Sequence, residues 1–333
     1  MSGVLEKDFM ENRQQIFSIY GILGLDKVEE ELYNTVSDSG GFTREICFGL
    51  IESGGKRLRP LLVLCAAQCF GSLNEKVIKT ASAFELIHMA SLVHDDIIDE
   101  ASIRRNRPSL NAQRGNLTSV LIGDYLFAKA FEIFAANRLI QSMNLAVEAI
   151  SEMCDGEIIQ ANNKFNFHQS IEDYYDRIYK KTGILLSACC QAGAIAGGAP
   201  EKEVKALKDY GTYLGYAFQI IDDLLDFTGD PKILGKPVGR DLKEGNITLP
   251  VFKLMKQGEY KAGLEKIFAQ HGFTEDAYRE VIRLLQDSYA LEESYKEAAD
   301  YVGKAKNALK DIKDSYYKNI LLEVAEKILM RKS

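Results

Sequence analysis

The stretch Glu85-Leu86-Ile87-His88-Met89-Ala90-Ser91-Leu92-Val93-His94-Asp95-Asp96-Ile97-Ile98-Asp99 decides the fold. Its apolar residues Leu86, Met89, Ala90, Val93 and Ile97 fall at i, i+3, i+4, i+7 and i+11, the stripe of a helix that buries one face. Period-two alternation, the mark of half-buried strands, is nearly absent from the chain. Only six prolines occur in 333 residues, and the segments 75–103, 117–160, 171–196 and 202–227 contain none, which leaves room for helices longer than usual. The chain is therefore expected to be all-α. Its breaks, such as Ser53-Gly54-Gly55, Arg107-Pro108-Ser109 and Gly197-Gly198-Ala199-Pro200, are short and carry turn chemistry, so residues 1–333 are read as a single domain.

With 46% hydrophobic residues the chain can bury a large core. A net charge of -7 argues against broad attraction to nucleic acid or to an anionic membrane surface, so any phosphate site must be a local basic patch. The six cysteines, Cys47, Cys65, Cys69, Cys154, Cys189 and Cys190, lack paired CxxC spacing and read as reduced core thiols of a cytoplasmic protein. Residues 1–10 show no hydrophobic block of the signal-peptide kind. The most apolar stretch, Gly183 to Ala199, holds Ser187, Gln191 and several glycines and falls short of the ~20 residues of a membrane helix. It reads as a buried helix of small residues, and no transmembrane segment is expected.

The chemistry lies in two echoing clusters, Asp95-Asp96-Ile97-Ile98-Asp99 and Asp222-Asp223-Leu224-Leu225-Asp226. Residues four apart share a helix face with Cβ atoms roughly 5–6 Å apart, so Asp95 projects with Asp99 and Asp222 with Asp226. Like charges so placed destabilise an isolated helix, and their apolar neighbours offer little compensation, which calls for a cation. Mg²⁺ suits oxygen ligands and commonly bridges one or two carboxylates to substrate phosphates. A single such cluster reads equally well as a solvated acidic face; the second tips the balance. Neither cluster has the ligand ladder of an EF-hand. Glu85 and His88 form a Glu-x-x-His, but a carboxylate di-iron bundle takes two, and no other histidine has a glutamate three residues before it.

Cations gather close to the first cluster. Gly54-Gly55-Lys56-Arg57-Leu58-Arg59-Pro60 sets two glycines before three cations at a helix entry, and Arg104-Arg105-Asn106-Arg107 follows Asp99 closely. Cations beside carboxylate clamps suggest a polyanionic ligand. Together with GDYLFAKAF, DGEIIQ, KKTG, FQIIDDLLDFTGD and LGKPVGRDLKEGNITLP, these motifs run in order from about Gly54 to Pro250. In them the chain resembles the trans-isoprenyl diphosphate synthases of the polyprenyl synthetase family.

The resemblance implies a single large helical bundle of the isoprenoid synthase type with a central cavity. It implies condensation of isopentenyl diphosphate with an allylic diphosphate, farnesyl diphosphate or similar, by ionisation, condensation and elimination. Lys56, Arg59, His88 and Arg105 are expected on the diphosphate of isopentenyl diphosphate, and Arg104, Lys181 and Lys236 on the allylic diphosphate. Asp95, Asp99 and Asp222 are the expected ligands of three Mg²⁺ per active site, with Asp96, Asp223 and Asp226 supporting them directly or through water. Thr182 and Gln219 are expected near the reacting carbon, where a hydroxyl and an amide carbonyl can face developing positive charge. Two departures from the family pattern are Asn106, where glycine is usual, and Asn246, where lysine is common.

Three competing readings share parts of this pattern. A terpene cyclase usually carries an Asn/Ser/Glu-type second motif where this chain has DDLLD. A catalytically silent partner subunit is expected to have lost aspartates, and all six remain. A short-chain farnesyl or geranylgeranyl diphosphate synthase usually has an aromatic residue four or five positions before the first aspartate, whereas Ser91 and Ala90 stand there. With Ile87 they would line a path for the growing tail, so a medium- or long-chain all-trans product is expected, octaprenyl being the middle value. The resemblance also implies a homodimer.

Overall fold

The structure is a computed structural model that describes residues 23–105, 107–228, 239–268 and 274–331. Helices dominate it, as the stripe around Leu86 predicts. The chain forms α1 (Leu25–Ser37), α2 (Gly41–Glu52), α3 (Leu58–Gln68), α4 (Glu75–Ile98), α5 (Leu110–Arg114), α6 (Asn116–Ala136) and α7 (Ile140–Asn162). There follow α8 (Ile171–Ile178), a π-helical turn (Tyr179–Gly183), α9 (Ile184–Ala196), α10 (Glu201–Thr228) and α11 (Arg240–Lys243). The remaining helices are α12 (Leu249–Lys256), α13 (Gly258–Phe268), α14 (Glu275–Asp287), α15 (Ala290–Ala308) and α16 (Tyr316–Leu329). The one departure among the described residues is a two-residue antiparallel hairpin, β1 (Ile103–Arg104) with β2 (Arg107–Pro108), pairing Ile103 with Pro108 and Arg104 with Arg107.

Local chemistry sets the helix limits. Asn74 caps α4 by accepting the Val77 N–H at 3.2 Å, and Asp99 closes it before Glu100 turns left-handed at φ 49°. Ser170 and Asp173 form a reciprocal capping box that starts α8.

The chain divides into two compact units. The first comprises the described residues up to Ala146, Cys189–Lys205 and Lys313–Lys318. Its centre is α4, packed along α6 and α3, with Phe84 meeting Phe134 edge to face at 5.7 Å. Leu86, Ile87 and Ala90 are wholly buried, so the stripe read from the sequence is the core face. The small-residue stretch lies inside as expected: Cys189, Cys190, Ala192 and Ala194 are inaccessible, and a side chain on Gly193 or Gly197 would collide with the backbone of Val63 or Ala67. The cysteines are unpaired and mostly buried, except that Cys154 is exposed on α7 rather than in the core.

The second unit comprises the described residues of Val147–Ala188, Ala206–Ile312 and Asn319 onward. In it α10 buries Leu214, Ile220, Leu224 and Phe227, and the Tyr210 hydroxyl donates to the Leu321 carbonyl at 2.7 Å. Gly211 meets the backbone of Leu186 and Ser187, and Gly215 meets that of Gly183. These glycines let α10 lie against the π-turn and the start of α9 at backbone distance. No helix among the described residues is long and apolar enough to cross a membrane.

Gly215→Ala tests this approach. Helix propensity alone would make the variant more stable by about 1 kcal/mol, but the methyl collides with the Gly183 backbone. Thermal denaturation should show a net loss of about 1–3 kcal/mol; a raised Tm would mean that the contact does not constrain the helices.

Candidate active site

In the first unit α4 carries the first aspartate cluster on its last turn. Asp96 points inward and is 4% exposed, its Oδ1 accepting from Arg104 Nε at 2.7 Å, while Asp99 is exposed and Asp95 half-buried. The helix thus presents Asp95 and Asp99 outward, as the i, i+4 spacing predicts, and turns the middle aspartate toward the β-hairpin. Gly123 of the GDYLFAKAF segment explains itself here: a side chain on it would strike His94, whose Nε2 lies 3.2 Å from the Val120 carbonyl.

Two turns earlier on α4 stands His88, with Arg59, Arg105, Arg104 and Arg57 close enough to act on it electrostatically. Burial above all, and then these four guanidinium groups, hold its imidazole well below the ordinary histidine range, so it is neutral at pH 7. Arg105 lies over Gly55, where a Cβ would come within 2.7 Å of its guanidinium. Its own pKa is lowered by burial and by Arg104. Concentrated, partly desolvated positive charge of this kind is a site for an anion. A cavity of about 650 Å³ opens beside it, lined in part by Gly54, His88, Met89, Asp96, Arg104 and Arg105. Lys56 is exposed in the loop before α3, and Arg59 is half-buried on α3.

Arg57, which the sequence groups with Lys56 and Arg59, plays a different part. It is 5% exposed and makes two ion pairs, Nε to the half-buried Glu29 at 2.5 Å and Nη1 to the buried Glu85 at 2.8 Å, while Nη2 donates to the Ile51 carbonyl at 2.9 Å. Glu85 is thereby an ion-pair partner within the core. Arg57 and Arg105 both sit in the left-handed region, at φ 45° and 52°, a conformation unusual for side-chain-bearing residues.

In the second unit α10 carries the second cluster. Asp222 is exposed and pairs with Arg331 Nη2 at 3.1 Å, the guanidinium of Arg331 lying 4.1 Å from the centre of the Phe218 ring. Asp223 is 3% exposed; its Oδ2 accepts from the Tyr174 hydroxyl at 2.8 Å and its Oδ1 from Gln219 Nε2 at 3.0 Å. Asp226 accepts the backbone N–H groups of Arg240 at 3.0 Å and Asp241 at 3.1 Å. Burial, and next the charge of Asp241, push Asp223 and Asp226 up to about 7. The hydrogen bonds that each accepts pull the other way.

Thr182 stands in the π-turn, and its Oγ1 donates to Gln219 Oε1 at 2.8 Å. Single π-helical turns are frequent at functional sites. Lys181, beside it, pairs with Glu157 at 2.5 Å, and Lys180 with Asp155 at 2.5 Å. The DGEIIQ segment therefore holds the two lysines of KKTG, with Gly156 between them because a Cβ there would come within 2.9 Å of Lys180.

The structure thus brings Lys181, Thr182, Gln219, Asp222, Asp223 and Asp226 together in the second unit, and Arg59, His88, Asp96, Arg104 and Arg105 in the first. Ile87 and Ala90 are fully buried and Ser91 nearly so, and none of the three lines the 650 Å³ cavity. Lys236 and Asn106 lie outside the described residues. Asn246 is buried. Asp241, Tyr174 and Glu157 went unread in the sequence; Asp241 and Glu157 lie inside quoted motifs, whereas nothing local singles out Tyr174. Among the described residues no three acidic, histidine or cysteine side chains converge on one point to hold an ion by themselves. All the carboxylate donors are hard oxygens, and Asp222 already attracts a cation, Arg331, which is the charge and chemistry that Mg²⁺ would meet.

A family model described as polyprenyl synthetase matches residues 42–285. A heptaprenyl diphosphate synthase component 2 from Geobacillus stearothermophilus is 41% identical over 311 residues, 92% of this chain and 96% of the relative. Among solved structures, heptaprenyl diphosphate synthase from Staphylococcus aureus aligns with a TM-score of 0.86 at 35% identity, covering 93% of this chain and 98% of that one. A polyprenyl synthase from Caulobacter crescentus, complexed with calcium and isoprenyl diphosphate, aligns with a TM-score of 0.86 at 32% identity over 96% of this chain and 98% of its own.

The charge around His88 is directly testable. In an NMR titration its imidazole should protonate well below the ordinary value of about 6.5, and Arg105→Ala should move that midpoint upward. A midpoint at or above 6.5 in the unaltered protein would show that the arginines do not surround it.

Proposed function

This chain belongs to the polyprenyl synthetase family and is a prenyltransferase, and on that premise we propose that it extends an allylic diphosphate such as farnesyl diphosphate with isopentenyl diphosphate to a medium- or long-chain all-trans polyprenyl diphosphate. The observation that carries this reading is the cationic pocket around a neutral His88, on the same helix as the outward pair Asp95 and Asp99. We read residues 1–333 as one polyprenyl synthetase domain.

Lys56, Arg59, His88 and Arg105 would hold the diphosphate of isopentenyl diphosphate, the arginines by charge-assisted hydrogen bonds and the neutral imidazole as a donor or acceptor. Arg104, Lys181 and Lys236 would hold the allylic diphosphate. Asp95, Asp99 and Asp222 would hold Mg²⁺, three ions per active site. Asp96, Asp223 and Asp226 give their oxygens to protein donors and so act in support. When bound, the ions supply positive charge to the leaving diphosphate and ease cleavage of the allylic C–O bond. Thr182 and Gln219 face the positive charge that develops as the bond breaks, and the basic pocket orients the attacking double bond, which makes the encounter effectively unimolecular. The released diphosphate takes the final proton. The calcium and isoprenyl diphosphate bound by the Caulobacter crescentus enzyme support the use of a divalent ion and of this substrate class.

Exposed Leu117, Val120 and Leu121 on α6 support a homodimer, since contiguous apolar surface is rarely left to water. The designation of the Geobacillus stearothermophilus relative as component 2 favours a second reading, in which this chain works with a different subunit. The free thiols support a cytoplasmic setting.

Purified protein with isopentenyl and farnesyl diphosphates should elongate with Mg²⁺ and stop on chelation. Asp95→Ala and Asp222→Ala should each lower kcat by about 100-fold or more with the fold intact. Full turnover in chelator would refute the ion assignment, and inactivity of the unaltered chain alone would point to the two-component reading. Ala90→Tyr should shorten the product to farnesyl or geranylgeranyl diphosphate without abolishing the first condensation; an unchanged long product on chromatography would show that the tail takes another path.

A further inference from the structure

Asp223 lies one residue from the exposed Asp222 in sequence but faces inward. Both of its oxygens are taken by protein donors, Oδ2 by the Tyr174 hydroxyl and Oδ1 by Gln219 Nε2. In its ionised form Asp223 accepts and does not donate, so it then dictates which end of the Gln219 amide faces it: the NH₂, as the structure has it. The carbonyl Oε1 is thereby turned the other way, toward Thr182, whose hydroxyl donates to it. Reversal of the amide would set oxygen against oxygen. Tyr174 is itself wholly inaccessible, wedged among Tyr175, Phe252 and Arg177, so its hydroxyl has a fixed direction. It issues from α8, the helix that runs directly into the π-turn bearing Thr182.

We propose that Tyr174 and Asp223 are positioning residues for the transfer reaction, a buried hydrogen-bonded pair that fixes the orientation of the Gln219 amide so that its carbonyl dipole, shared with Thr182, is presented to the developing allylic cation. This rests on the reading that Gln219 lies near the reacting carbon. Burying a phenol and a carboxylate together costs desolvation, which a tyrosine–apolar contact would avoid. The network instead gives the amide one orientation, the kind of preorganised dipole that lowers a barrier where charge develops.

The test is a double-mutant cycle on turnover. Gln219→Met removes the dipole and should lower kcat about 10- to 100-fold with little change in either KM. Tyr174→Phe should lower kcat over a similar range, again at constant KM, and should release more prenyl alcohol per condensation as water captures the less guarded cation. Because Tyr174 acts through Gln219, adding Tyr174→Phe to Gln219→Met should cost less than threefold more. Asp223→Asn is the second variant, for use if Tyr174→Phe fails to fold. Its amide accepts from Tyr174 and offers NH₂ to Gln219, which inverts the Gln219 amide and should reproduce both the kcat loss and the absence of further loss in the Gln219→Met background. An undiminished kcat in Gln219→Met overturns the reading beneath the proposal, and the proposal with it. A loss in Gln219→Met combined with fully multiplicative losses for the other variants, or with none, overturns the positioning role alone.

Discussion

Backbone-to-backbone approach at glycine is the constraint on which the second unit depends. Gly215 leaves room for the Gly183 backbone and Gly211 for that of Leu186 and Ser187, so at these points the π-turn and the start of α9 lie against α10 at backbone distance. Only at that separation can the short side chain of Thr182 reach Gln219 at 2.8 Å. The first unit uses the same device where Gly193 and Gly197 meet α3, the helix that carries Arg59. A core of small residues is poor in apolar area per residue. What it provides is closeness, and closeness turns a weakly preferred geometry into a fixed one.

The two aspartate clusters handle like charge in the same way. Each turns its middle carboxylate inward and satisfies it with protein donors, Arg104 for Asp96 and Tyr174 with Gln219 for Asp223. Each leaves at least one outer carboxylate exposed, Asp99 and Asp222. The inward residues brace the helix ends on which they stand.

Much of this was legible because it is local. Helical spacing put Leu86, Ala90 and Val93 on a buried face and the first and last aspartates of each cluster on a common one, and composition placed the 183–199 stretch inside rather than across a membrane. What escaped depends on partners far away in the chain. Arg57 looks like one cation of three until Glu29 and Glu85, each 28 residues distant, bury it. Tyr174 meets Asp223 across 49 residues. The π-turn carries no periodicity of its own in five residues, and Asp241 acquires meaning only where α11 begins against Asp226.

The left-handed arginines constrain how this sequence can change. Glycine would relax the backbone at 57 or 105, and at most positions a substitution that relieves strain is a route to greater stability. At 57 that route is closed, because losing the guanidinium would leave the buried Glu85 carboxylate without its counter-charge. At 105 it is open for the fold but removes a cation from beside His88. Drift at these two positions is therefore opposed for different reasons, folding in one and ligand charge in the other. A population of variants selected for thermal resistance alone would be expected to lose Arg105 while keeping Arg57.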